Sequence, residues 1–183
     1  RDGFSLSLQS FGIDDSVMVD FGGRAVNDSL MLQHTWRASP ALRVVWGGEM
    51  RREEVKSKPL YAKDTTVVTR FTRLFGNAEW QFLNDFVLNT GAMVEQSSQS
   101  DTTLAPRVML NWHVAPGHTL RAGLSKAYRP PSALEKFGNI RYSLKGQTLK
   151  VITAARGNIE PEGLLTRELG YLARLPLLDG DLD

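Results

Sequence analysis

Leu124-Ser125-Lys126-Ala127-Tyr128-Arg129-Pro130-Pro131-Ser132 and Arg156-Gly157-Asn158-Ile159-Glu160-Pro161-Glu162 are the two phrases on which the reading of this chain turns. The first closes a strand. Proline has no amide hydrogen to give to a sheet ladder and pushes its neighbours into extended coil, so pairing stops at Pro130-Pro131. The second turns the chain back. Gly157-Asn158 and Pro161 are turn formers, and the strand Arg167-Glu168-Leu169-Gly170-Tyr171 follows them.

Strand patterning continues outward from this pair. Leu42, Val44, Trp46 and Met50 share one parity, with Arg43, Val45 and Glu49 on the other. Val108, Leu110, Trp112 and Val114 alternate with Arg107, Met109, Asn111 and His113, and Phe86, Leu88, Ala92 and Val94 alternate with Asn89, Gly91 and Glu95. A period of two puts one set on each face of a sheet, and helical periodicity is nearly absent.

The connections add the architecture. Strands at about 28–38 and 41–51, 67–82 and 86–96, and 104–114 and 118–128 are joined by Ser39-Pro40, Leu83-Asn84-Asp85 and Ala115-Pro116-Gly117. A last strand, about 163–175, runs into Pro176 and the turn Asp179-Gly180. Between the hairpins lie longer polar stretches at about 11–27, 52–66, 97–103 and 129–162. Alternating short and long connections predict an antiparallel up-and-down meander, about eight strands of a large transmembrane β-barrel that does not close by itself. The apolar parity, Leu42, Val44, Trp46, Leu88, Leu110, Trp112 and Leu120, should face lipid; Arg43, Glu49, Asn89, Asn111 and Arg121 should face the lumen. Trp36, Trp112 and Phe82 fall near short-turn ends, which suits an interfacial girdle or an ordinary sandwich core equally.

Composition narrows the classes. A mean hydropathy of −0.25 and the lack of any long apolar run exclude a helical membrane protein, but barrel strands average low too. No cysteine is present, so neither disulfides nor thiolate metal sites arise. A net charge of +2 argues against a nucleic-acid partner. The chain opens at Arg1 without a leader and stops just after a turn, which reads as an internal fragment.

Catalytic signals are thin. Ser132 is followed by Glu135, but no nucleophile elbow or nearby histidine accompanies it. Asp14-Asp15 and Glu53-Glu54 sit in or beside long polar stretches, as solvated charge clusters do. No enzyme activity and no cofactor are expected.

The two opening phrases, with Asn77-Ala78-Glu79-Trp80-Gln81 and Leu88-Asn89-Thr90-Gly91-Ala92-Met93-Val94-Glu95, resemble the barrel domain of TonB-dependent outer-membrane receptors. In that family a strand ending "S-R-A-x-R-x-P-S" precedes, one outer loop later, "G-N-P-x-L-x-x-E" and "E-L-G-Y"; here Ile159 stands at the proline. The resemblance implies residues 1–183 as a partial barrel, with a plug domain and a TonB-contacting segment upstream. It implies active uptake of a scarce solute, most readily a ferric siderophore, across the bacterial outer membrane, in contact with its lipid and lipopolysaccharide. Haem-binding relatives carry a ligating histidine in the loop between the phrases. Residues 129–162 contain none, and His34, His113 and His118 fall toward the short-turn side. That loop holds six cations against Glu135, Glu160 and Glu162, with Phe137 and Tyr142 among them. Arg129, Arg141, Tyr142 and Lys145 are therefore the candidate contacts for an anionic ligand. A soluble carbohydrate-binding sandwich and a passive porin-like channel remain the alternatives at this point.

Overall fold

The computed structural model describes residues 4–7, 16–19, 22–61, 65–144, 147–155, 157–177 and 180–182. The calls at Asp14-Asp15, Lys145, Arg156 and Asp179 lie outside them.

In chain order the elements are β1 (Phe4–Ser7), β2 (Ser16–Val19), β3 (Arg24–Ser39), β4 (Leu42–Lys56), α1 (Lys58–Tyr61), β5 (Thr66–Leu83), β6 (Phe86–Ser97), β7 (Ser100–Ala115), β8 (His118–Arg129), α2 (Ala133–Phe137), β9 (Asn139–Leu144), β10 (Gln147–Ala154), β11 (Glu162–Ala173), β12 (Leu175–Leu177) and β13 (Gly180–Leu182). One continuous sheet runs β11-β8-β7-β6-β5-β4-β3, every pair antiparallel. It holds seven of the about eight strands that the connection pattern led us to expect. The remaining strands form the separate pairs β1–β2, β9–β10 and β12–β13. The sheet is open, and among the described residues no second sheet packs across it as a sandwich would require.

Register assigns the faces. Leu42 pairs with Trp80, Trp80 with Leu88, Leu88 with Leu110 and Leu110 with Ala122. Directly paired residues point to the same side, so these belong to one face with Val44, Trp46, Trp112 and Leu120. Arg43, Glu49, Asn89, Asn111 and Arg121 pair among the alternate positions on the other. The predicted division of faces holds.

Exposure shows which solvent each face is made for. Leu169 is 88% exposed on the apolar face, whereas Glu95 on the polar face is 5% exposed. A water-soluble protein rarely leaves an apolar patch beyond a few hundred Å² uncovered. From the Leu42–Trp80 row to the Met50–Thr72 row is about 27 Å of strand, or about 20 Å along the normal at a barrel's usual tilt, near the height of a lipid-facing band. At the short-turn end the exposed Trp80, Phe82 and Trp112 line up with the half-buried Phe86 in an aromatic row, Phe86 and Trp112 stacked at 5.5 Å and 7°. That row is a girdle, not a core.

On the polar face, ion pairs run across the strands. Arg73 bridges Glu49 at 3.0 Å and also pairs with Glu95, all three in direct register. Arg43 meets Glu79 at 3.2 Å, and Arg121 meets Glu168. Such cross-strand pairs each contribute up to about 1 kcal/mol to sheet pairing.

Three sequence expectations are corrected. The stretch 97–103 is no long loop: Ser98-Gln99 alone joins β6 to β7. Its polar residues secure a tight turn, with Gln99 N donating to Ser97 Oγ at 3.1 Å and Arg70 N to Ser98 Oγ at 3.0 Å. The strands also run further at this end, β3 from Arg24 and β4 to Lys56, taking Glu53 and Glu54 into the ladder. Beyond the apolar band both faces can be polar, so the ladder continues where alternation stops. Two one-turn helices, α1 and α2, stand where no helix was expected.

Candidate ligand-contact site at the long-connection rim

The connection between β8 and β11 has its own small fold. Pro130 and Pro131 end the strand, and Ser132 caps α2 with Glu135 as the reciprocal partner. Glu135 N donates to Ser132 Oγ at 3.2 Å, and Ser132 N donates to Glu135 Oε2 at 2.7 Å. This is a capping box, which satisfies two amides that the first turn leaves orphaned. Gly138 follows, its amide 2.7 Å from Leu134 O; a Cβ here would stand 2.3 Å from that carbonyl. The β9–β10 hairpin then rises, closed at its base by Ala155 N donating to Gly138 O at 2.7 Å.

Arg129 joins this fold to the sheet. Its Nη2 and Nη1 donate to Glu135 Oε1 and Oε2 at 2.8 and 3.0 Å, and Nε donates to Glu162 Oε2 at 3.0 Å. Glu162 is the register partner of Arg129, so the clasp spans the last rung of β8–β11 and the first turn of α2. Hydrogen bonds from Arg129, with those of Ser132, hold the Glu135 carboxyl down to about 2. The Arg129 hydrogen bond lowers Glu162 as well, and the two carboxylates raise Arg129 above its usual range.

The candidate contacts are thus divided. Arg129 has its guanidinium engaged by carboxylates. Arg141 stands exposed on β9, its Nε donating to Asn139 Oδ1 at 2.7 Å, in register with Val151. Tyr142 pairs with the exposed Lys150, but the Tyr142 side chain, like the whole of Lys145, lies outside the described residues. The connection between β4 and β5 reaches this fold too: α1 packs against β9 and α2, and Tyr61 is buried. Sequence reading missed Ser132 and Glu135 as structural partners, although Ser-x-x-Glu directly after Pro-Pro is a capping-box signal. It also gave no sign that α1 would meet β9, a contact between connections four strands apart.

At the opposite end the histidines are held by neighbours. His118 stacks on Tyr171 with Nδ1 2.6 Å from the hydroxyl, and His113 Nδ1 lies 3.0 Å from Thr119 Oγ1.

Comparison with known proteins settles the family. The model of the TonB dependent receptor-like beta-barrel matches residues 3–183. The chain belongs to the TonB-dependent receptor family. It is therefore a piece of a bacterial outer-membrane receptor barrel, with the β3–β4, β5–β6 and β7–β8 turns on the periplasmic side and the β4–β5, β6–β7 and β8–β11 connections, the tight Ser98-Gln99 turn among them, outside. In fold it is similar to the siderophore receptor PirA from Pseudomonas aeruginosa, with a TM-score of 0.74 at 13% identity, over 87% of this chain and 31% of that one. It is similar also to a mutant of the ferric enterobactin receptor PfeA from Pseudomonas aeruginosa, with a TM-score of 0.71 at 12% identity over 88% and 26%. PirA from Acinetobacter baumannii gives a TM-score of 0.64 at 15% identity over 90% and 26%. The chain thus spans between a quarter and a third of the length of these receptors. None of the curated proteins matches this sequence.

Proposed function

We propose that this barrel segment serves a receptor that imports an anionic ferric siderophore, energised by TonB through a plug and TonB-contacting segment upstream of residue 1. The observation that carries this reading is the basic β9–β10 hairpin fastened at the outer rim, above a polar, ion-paired lumen face. Arg141, Tyr142 and Lys145 are the ligand contacts in this reading, and Arg129 holds the loop that presents them. Guanidinium and ammonium groups pair with the carboxylate or catecholate oxygens of such a ligand, and surplus positive charge speeds its encounter.

The test is the association rate of ferric siderophores with the intact receptor as ionic strength varies. Arg141→Gln combined with Lys145→Gln should slow association and flatten its salt dependence. Coincident curves for the two proteins across anionic siderophores would remove these residues from the site. Uptake that persists in cells lacking TonB would point instead to a passive channel.

A further inference from the structure

We propose, on the reading that the β9–β10 hairpin contacts the ligand, that the imported iron chelate is an amphiphile. Its anionic head meets Arg141, and an aliphatic chain attached to that head lies along Val151, Ile152 and Leu164.

The hairpin joins a cation and apolar surface on one face. Arg141 and Val151 are direct register partners, so their side chains stand side by side. Ile152 is the extra residue of a bulge between the Val151 and Thr153 rungs. Val151 is 49% and Ile152 45% exposed, and every residue from Lys150 to Ala154 is open. Phe137 of α2 and Ile159, ahead of β11, are exposed as well. These elements lie beyond the Arg129–Glu162 rung and outside the sheet that meets lipid. Their apolar exposure does not belong to the lipid-facing band.

Leu164 marks the way in. It pairs with Ala127 on the parity of Glu168 and Arg121, hence on the lumen face, two residues inside the rim. It is 64% exposed there. Membrane lipid does not reach a lumen side chain at the mouth of a barrel, whereas a solute on its way in passes it. A guanidinium selects an anionic head. Covering an aliphatic chain with Val151, Ile152 and Leu164 removes it from water and adds affinity without changing the charge.

The experiment measures binding to the intact receptor in lipid nanodiscs, with binding to empty nanodiscs subtracted. The probes are paired iron(III) chelates, with citrate–hydroxamate or tris-catecholate heads, each made with a decanoyl or an acetyl amide. For the head that binds, the decanoyl form should dissociate about tenfold more slowly than the acetyl form. Val151→Thr with Ile152→Thr keeps β-branching and strand propensity, and should bring the two rates together. Leu164→Gln should remove part of the difference, and Val151→Ile with Ile152→Val should preserve it. Heat-modifiable gel migration identifies folded barrels, and only these are scored.

Arg141→Gln with Lys145→Gln should slow association of both forms and keep the wild-type ratio of their dissociation rates. Equal dissociation of the two forms from the wild type overturns the chain assignment and leaves the cationic contacts standing. A chain effect that persists with no change in the Gln variant removes the cations and keeps the apolar subsite. An undiminished chain effect in the Thr variant overturns the placement on the hairpin. Decanoate competing as strongly as the decanoyl chelate assigns the surface to free fatty acids and overturns the proposal. Failure of every head to bind overturns both readings.

Discussion

Arg129 and Glu135 meet through two parallel hydrogen bonds, at 2.8 and 3.0 Å, across the prolines that end β8. The contact turns the edge of a sheet into the foundation of a loop. A bidentate guanidinium–carboxylate pair fixes orientation as well as distance, and Glu162 on the neighbouring strand holds the same guanidinium from the other side. The outer hairpin is thereby carried by the barrel wall.

Cutting this clasp should loosen the loop and leave the barrel intact. Arg129→Ala is expected to raise hydrogen exchange at the amides of 133–155 and to speed their proteolysis, with the global unfolding midpoint unchanged. The conservative Arg129→Lys, which keeps the charge between Glu135 and Glu162, should recover part of the protection. Unaltered exchange in Arg129→Ala would mean that the capping box and the α1 contact hold the loop without it.

The clasp also has a pH signature. Glu135 titrates at about 2 in the folded protein against an ordinary 4.5. A depressed carboxyl contributes stability that is fully present above its ordinary value and is lost as pH falls toward the folded value. Loop protection should therefore be flat from neutral pH to about 5 and decline between about 4.5 and about 2. A carboxyl carbon NMR titration of Glu135 with a midpoint near its ordinary value would contradict the geometry.

The two faces should respond differently to charge. Leu110→Arg, lipid-facing one rung above the Trp112 girdle, is expected to destabilise the barrel by about 1–3 kcal/mol in a bilayer unfolding titration. Asn111→Arg faces the lumen and should be far milder. Equal losses would refute the assigned faces.

Arg73 is the keystone of the lumen ladder, between Glu49 and the nearly buried Glu95. Arg73→Met should cost about 1–3 kcal/mol, because it strands a carboxylate rather than merely removing a contact. Adding Glu95→Gln should restore part of this loss in the same urea titration. A double variant no more stable than Arg73→Met would locate the cost in packing instead.

Much of this was legible in the chain itself. Alternation around Leu42–Met50 and Val108–Val114 fixed which side chains share a face, because a strand has a period of two and no tertiary contact can change it. Pro130-Pro131 and Pro116-Gly117 marked where strands had to stop or turn, for reasons local to their backbones. Polarity alone misled at Ser97–Ser100, since beyond the lipid band a ladder needs no apolar side chains to persist. Tertiary structure decided what pairs at a distance. Arg129 looked like a free cation for a ligand because Glu162 becomes its neighbour only when β11 returns beside β8 after a long excursion. Whether Trp112 was core or girdle likewise depended on whether a second sheet covered it; the open sheet leaves it to lipid, because burial is a property of what packs against a residue and is not written in the residue.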